Sequence, residues 1–227
     1  MTTAPHPWRD AFLAVVALFL PVSCLGCGAR DRPLCDSCRA DLAGRPGRVR
    51  LVGGVRLDAA FEYEGLVRTL VLELKLRGRV DVAAPLGRPT GALVRQALAD
   101  APPGTLVLRV PPSPRGRRRR GFDTVVLLLA RGGVRRTGRL RRQRAAGPPG
   151  VGLRGARPRG AGQKERTALE RVDATVGTLR AVGVSGRDVV LVDDVVTTGV
   201  TMAEAVRAVR AAGGRVVRCV ATASVES

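Results

Sequence analysis

Apolar and polar positions change period several times along the chain, and the changes mark out its elements. Leu57–Phe61 has the character of a short strand. Over Leu66–Leu76, Leu66, Leu70 and Leu74 recur with Val67 and Val71 at helical spacing, which predicts an amphipathic helix. Another helix is expected over Pro89–Ala99. "TLVLRV", Thr105–Val110, reads as a strand stopped by Pro111 and Pro112. An apolar helix is expected over Thr124–Ala130, and the unbroken apolar run Val189–Val192 predicts a fully buried strand. Met202, Ala205, Val206 and Val209 share one face of a helix over Met202–Ala212, closed by Gly213-Gly214. Val216–Thr222 then completes a strand–helix–strand unit, which implies a parallel sheet and an α/β fold. Cys219 inside that last strand is a small core residue. Two stretches lack a period: Gly44–Gly54 reads as a Gly- and Arg-rich linker, and Arg135–Gly162 as a mobile loop.

Ala11–Leu20, "AFLAVVALFL", is the longest apolar run. It is well short of the roughly 20 residues that span a bilayer, so no transmembrane span is expected. A secretory signal is the competing reading, since Arg9 precedes the run and "PVSC" follows it. Pro21 and Asp10 count against export, and the expectation is a cytoplasmic protein.

Charge enlarges the range of partners without choosing one. The formal net charge is +20, which favours a polyanion such as nucleic acid, a phosphorylated ligand or an anionic membrane surface. Yet Lys75 and Lys164 are the only lysines among 39 basic residues, so a chain-wide bias toward arginine explains the same excess.

"CLGCGARDRPLCDSC", Cys24–Cys38, contains two Cys-x-x-Cys pairs. Each pair can turn both sulfurs toward one ion, and Cys24, Cys27, Cys35 and Cys38 together satisfy tetrahedral Zn²⁺ in a closed, structural site. Two disulfides would suit a secreted miniature domain, and a redox pair would need only half of the cluster. The chain therefore divides into an apolar helix plus zinc module over 1–44 and an α/β domain over 55–227.

"VVLVDDVVTTGVT", Val189–Thr201, runs a buried strand into two adjacent acids and then a threonine-rich turn. In an open parallel sheet, ligands collect at the carboxyl ends of strands, where Asp193 and Asp194 stand. The turn Val195–Val200 opens the next helix, so its amides and the helix dipole offer an anion site. Gly199 permits close backbone approach, and Thr197, Thr198 and Thr201 add hydroxyls. Acceptors for hydroxyl groups next to donors for a phosphate suit a sugar phosphate. No Gly-x-x-x-x-Gly-Lys-Ser/Thr sequence is present for a nucleoside triphosphate.

This stretch resembles the phosphoribosyl-pyrophosphate (PRPP) signature of type I phosphoribosyltransferases. The resemblance implies that Asp193 and Asp194 bind the ribose 2′- and 3′-hydroxyls and serve as the catalytic acids. It also implies that Val195, Val196, Thr197, Thr198, Gly199, Val200 and Thr201 form the PRPP loop around the 5′-phosphate. The order of further segments is similar to that of the ComF family: the four-cysteine cluster, "YEGLVRTLVLELKLRGR" at Tyr63–Arg79 and "VPPSPRGRRRRGFD" at Val110–Asp123. That family implies a type I phosphoribosyltransferase fold, Mg²⁺ bound with PRPP, and an association with DNA uptake, so that single-stranded DNA or other DNA-uptake proteins are implied partners beside a nucleotide-salvage alternative. Gln163 and Arg171 fit the family's middle segment, while Glu165-Arg166 replace Gly-Leu, Ala174 stands at the Asn position and Asp123 replaces Asn.

Lys75 resembles a family lysine, although a solvent-facing lysine would read the same. Arg115, Arg117, Arg118, Arg119 and Arg120 can close over a pyrophosphate as a loop, contact a DNA backbone, or form a solvated run. A nucleic-acid-binding module with a vestigial PRPP pocket is the alternative from another class. His6 is the only histidine, so histidine acid–base chemistry is not expected. One Trp, one Tyr and four Phe leave little for base stacking.

Overall fold

Two glycines convert the expected linker into a hairpin. The computed structural model describes residues 22–30, 32–143 and 177–225. Ala11–Leu20, residues 144–162 of the expected loop, and Gln163, Glu165, Arg166, Arg171 and Ala174 lie outside them. Within them, Arg48–Val52 forms β1 and Val55–Glu62 forms β2, paired antiparallel. Gly53 (φ 58°) and Gly54 (φ 73°) occupy the two-residue turn between them. Both angles are left-handed, the requirement of a type I′ connection that only glycine meets without strain.

The remaining elements follow in chain order. Asp36–Gly44 is α1, and Gly65–Leu72 is α2, which runs on through a π-helical turn at Glu73–Arg77. Ala83–Ala99 is α3; it starts six residues before the expected Pro89, which sits inside it. Leu106–Arg109 is β3. The arginine run is not a loop: Pro114–Arg120 is a short helix, α4, capped by Ser113 Oγ, which accepts from the Gly116 amide at 3.1 Å. Proline at the first helical position after a serine cap favours this start. Thr124–Arg131 is α5. The described part of the expected mobile loop contains Gly138–Arg139 (β4) and Arg141–Arg142 (β5). Leu179–Arg180 is β6, Asp188–Val196 β7, Val200–Ala211 α6 and Arg215–Ser224 β8.

Six strands form one sheet in the order β1-β2-β8-β7-β3-β4, and β5 pairs with β6 separately. Every pairing in the large sheet is parallel except β1 with β2. Both faces are covered. Val189 and Leu191 pack with Met202, Ala205 and Val209 of α6. The intervening Val190 and Val192 pack with Val94 of α3 and with Val125 and Leu129 of α5. Burial on both faces explains the unbroken apolar run in β7, where a half-exposed strand would alternate. A third cluster joins Val67, Leu70 and Leu74 of the α2 segment to Phe61, Leu128, Cys24, Leu34 and Leu42.

Connectivity then places a crevice. From β7 the chain crosses through α6 to β8, toward β2; from β3 it crosses through α4 and α5 to β4, in the opposite direction. The carboxyl ends of β3 and β7 therefore flank a topological switch point, where open α/β sheets leave room for a ligand.

Candidate functional site

The acid pair lies inside β7, not beyond its end, because Val195 and Val196 continue the strand. Their side chains pack into the cores, so these two residues can offer only backbone to a ligand. Each carboxylate accepts from the next amide: Asp193 Oδ1 from Asp194 N at 2.8 Å, and Asp194 Oδ1 from Val195 N at 2.7 Å. Lys75 comes from the π-helical turn, 119 residues away in sequence, and its Nζ donates to Asp194 Oδ1 at 2.8 Å. Buried Leu74 beside it fixes that turn against the core. Burial, reinforced by the neighbouring Asp194 charge, pushes Asp193 well above the usual carboxylate range; the Asp194 amide, Lys75 and Arg142 pull the other way without cancelling the shift.

Thr197 and Thr198 are exposed, and Gly199 caps α6 with a left-handed φ of 79°. Among the described residues, no side chain caps this helix start, so its first amides can take a ligand. Thr201 faces a cavity of about 220 Å³ together with Asp193, Asp194 and Lys75. The opposite wall is Val110, Pro111, Pro112 and Ser113 after β3, with Arg120, Asp123, Thr124, Val125 and Arg142.

The arginine run is divided by its helix. Arg120 lines the cavity, whereas Arg117, Arg118 and Arg119 are exposed; Arg115 lies in α4, and its side chain is outside the described part. Several cavity residues escaped the sequence reading. Arg142 donates to the carbonyls of Pro111 at 3.0 Å and Pro112 at 3.2 Å, and burial lowers its pKa while the Asp193 charge raises it. Asp123 caps α5 through the amides of Val125 and Val126, and its other oxygen accepts from Arg109 Nε at 3.3 Å. Among the described residues, Arg120 Nε and Thr124 Oγ1 are buried without a hydrogen-bond partner, and both residues line this cavity. Buried polar atoms left unpaired in a protein are costly, so a polar ligand would be stabilised there. Among the described residues, no lining residue is aromatic.

The four cysteines converge as their spacing requires. Their sulfurs lie within 4.8 Å of one another, and Cys27 Sγ is 3.6 Å from Cys35 Sγ. Tetrahedral zinc with Zn–S bonds of about 2.3 Å places its sulfurs roughly 3.8 Å apart, so the donor set fits that ion. A Cβ at Gly26 would stand 2.6 Å from Cys38 Sγ, which leaves glycine as the residue that admits this cradle. All four are free thiols, and the group can hold a zinc ion. Burial raises Cys24, but amides of Cys35, Cys27 and Gly26 outweigh it and hold the thiol at about 6. Contact with Cys35 and burial push Cys38 up to about 12.

Residues 117–227 match the family model of the phosphoribosyl transferase domain. No curated protein matches the chain. The matched stretch contains β7, α6, β8, Arg120 and Arg142, while Lys75, the Pro111–Ser113 wall and the four cysteines precede it. Among the described residues, no helix is long and apolar enough to cross a membrane.

Proposed function

We propose that the cavity at the β3–β7 switch point binds PRPP and serves glycosyl transfer from it, in a ComF-like protein of the cytoplasm. One observation carries the reading: the Asp193–Asp194 pair leads through a threonine loop into an open helix N-terminus, facing Arg120 and Arg142 across one cavity. The two carboxylates accept from the ribose hydroxyls. The loop amides and the hydroxyls of Thr197, Thr198 and Thr201 hold the 5′-phosphate. Arg120 and Arg142 meet the pyrophosphate and stabilise the charge it gains as the C1–O bond breaks. Ring oxygen density stabilises C1 until the acceptor adds to it. Carboxylate oxygens suit a hard cation, and Mg²⁺ bound with PRPP would supply further neutralisation of the leaving group.

Isothermal titration with PRPP and Mg²⁺ tests the reading, and no heat from a folded, zinc-loaded sample rejects it. The titration has an expected pH dependence. Ribose hydroxyls are accepted by ionised Asp193, whose pKa is raised in the free protein. Affinity is therefore expected to fall as pH drops through that raised pKa, with proton release on binding below it and none above it. A flat profile from neutral to acidic pH would remove Asp193 from the binding step. Pyrophosphate release on adding a panel of bases and amines identifies the acceptor.

The exposure of Arg117, Arg118 and Arg119 favours a second role, in nucleic-acid backbone binding for DNA uptake. Each cation released from the phosphates adds roughly 0.7–0.9 to the slope of log K against log salt. Replacing all three by alanine is expected to lower the slope for single-stranded DNA by roughly 2 and to leave PRPP affinity unchanged. Arg120→Ala is expected to do the reverse, weakening PRPP roughly tenfold or more. An unchanged salt slope in the triple variant ends the DNA reading.

A further inference from the structure

The structure assigns Arg50, on the edge strand β1, as a positioning residue that sets the phosphate loop's amides toward the cavity; this rests on the PRPP reading above. Arg50 Nη2 donates to the Thr197 carbonyl at 2.7 Å, and Nη1 lies 3.5 Å from the Val225 carbonyl. The chain separation from Thr197 is 147 residues, so the contact exists only because the hairpin brings β1 alongside. In a trans peptide the carbonyl and the following N–H point in opposite directions. Drawing the Thr197 carbonyl toward β1 therefore turns the Thr198 amide away from it.

Sheet order says what lies on that far side. β1 is reached from β7 through β8 and β2, whereas the cavity lies on the β3 side of β7. The preceding carbonyl is held in the same sense: Val196 O accepts from Val225 N at 3.0 Å and from Ser224 Oγ at 3.2 Å. Two successive carbonyls are thus held on the β8 and β1 side of the loop, which turns the amides of Thr197 and Thr198 away from that side, while Thr198 and Gly199 share a second hollow with Arg50. Successive amides turned one way, next to a left-handed residue such as Gly199, form an anion-binding concavity.

The fit around Arg50 is close. A Cβ at Gly199 would lie 3.2 Å from both Arg50 Nη2 and Val52 Cγ1. Burial beside Arg48 lowers the Arg50 pKa, yet an arginine remains charged at any physiological pH and keeps its donors. Arg50 touches no substrate in this scheme. It acts through the loop, by fixing in advance an orientation that the phosphate would otherwise have to impose on binding.

Two variants test the assignment. Arg50→Met keeps the aliphatic stem and removes the donors, while Arg50→Lys keeps a cation able to reach one carbonyl. Titration of PRPP with Mg²⁺ is expected to show roughly tenfold or greater weakening in Arg50→Met and recovery of most of the affinity in Arg50→Lys. Amide nuclear magnetic resonance of the ligand-free proteins is expected to show Thr197 and Thr198 displaced in Arg50→Met, with the melting temperature changed little. Wild-type affinity and unmoved Thr198 resonances in Arg50→Met would overturn the assignment while leaving PRPP binding intact. Failure of the unaltered protein to bind PRPP would overturn the binding reading and this inference with it.

Discussion

Asp193→Asn together with Asp194→Asn is expected to weaken PRPP binding by roughly 10²–10⁴-fold, at about 1.5–3 kcal/mol for each lost charge-assisted hydrogen bond. Asparagine preserves the shape of both side chains, so the loss reports charge and acceptor strength. It also leaves Lys75 without its 2.8 Å carboxylate partner. For Asp193→Asn alone, stability is expected to move the other way. Asp193 has a raised pKa in the fold, so the fold favours its protonated form, and that advantage is lost as pH rises through the raised value. A neutral amide at 193 removes this conflict, so the melting temperature of Asp193→Asn alone, which keeps the Lys75–Asp194 pair, should hold or rise at neutral pH. Titration calorimetry beside a thermal melt separates the two effects. A double variant that binds PRPP like the unaltered protein would end the assignment of the acids to the ribose.

Removing zinc is expected to have the second large effect, on the fold around α2. The helix α1 has nine residues and buries only Leu42, so it cannot persist on its own. Its first turn is held through Cys35, which caps it, and through the contact of Cys35 N with Cys24 Sγ at 3.3 Å. Detaching the module would expose Leu34 and Leu42, a loss of roughly 4 kcal/mol at about 2 kcal/mol per leucine. Chelation, or Cys35→Ser, is therefore expected to lower the melting temperature and to loosen Phe61 and Leu70, which share that cluster. PRPP affinity should fall as well, because α2 leads into the turn that carries Lys75. Cys38, pushed up to about 12, is protonated without metal at neutral pH, so zinc uptake should release protons and weaken as pH falls. Metal analysis and proton release in weak buffer measure both. A metal-free sample with an unchanged melt would remove the zinc.

Residues with a strong local pattern were legible in the sequence. β7, α6 and β8 fall close to their expected ranges because burial on two faces, a helical stripe and a closing glycine pair each leave a periodic trace. β1 was hidden by composition: Gly44–Gly54 reads as an Arg- and Gly-rich linker, although alternation on both sides of Gly53-Gly54 is itself a hairpin pattern. α4 was hidden by charge, since four arginines in a row mask the Ser-Pro start of a helix. Arg142 left no trace at all. Its strand has two residues, and its place in the cavity depends on the carbonyls of Pro111 and Pro112, some thirty positions earlier. Arg50 is similar: a side chain on an edge strand acquires meaning only from the loop that folding sets beside it.

The parallel sheet has a practical corollary for anyone dissecting the molecule. The match to the phosphoribosyl transferase domain model starts at residue 117, yet β8 hydrogen-bonds to β2 on one flank and β7 to β3 on the other, and both neighbours come earlier. A truncation at that boundary would bare the two innermost strands along their outer sides and strip α3 from one face. The matched stretch and the foldable unit therefore part company here: the smallest autonomous unit must reach back at least to the first hairpin.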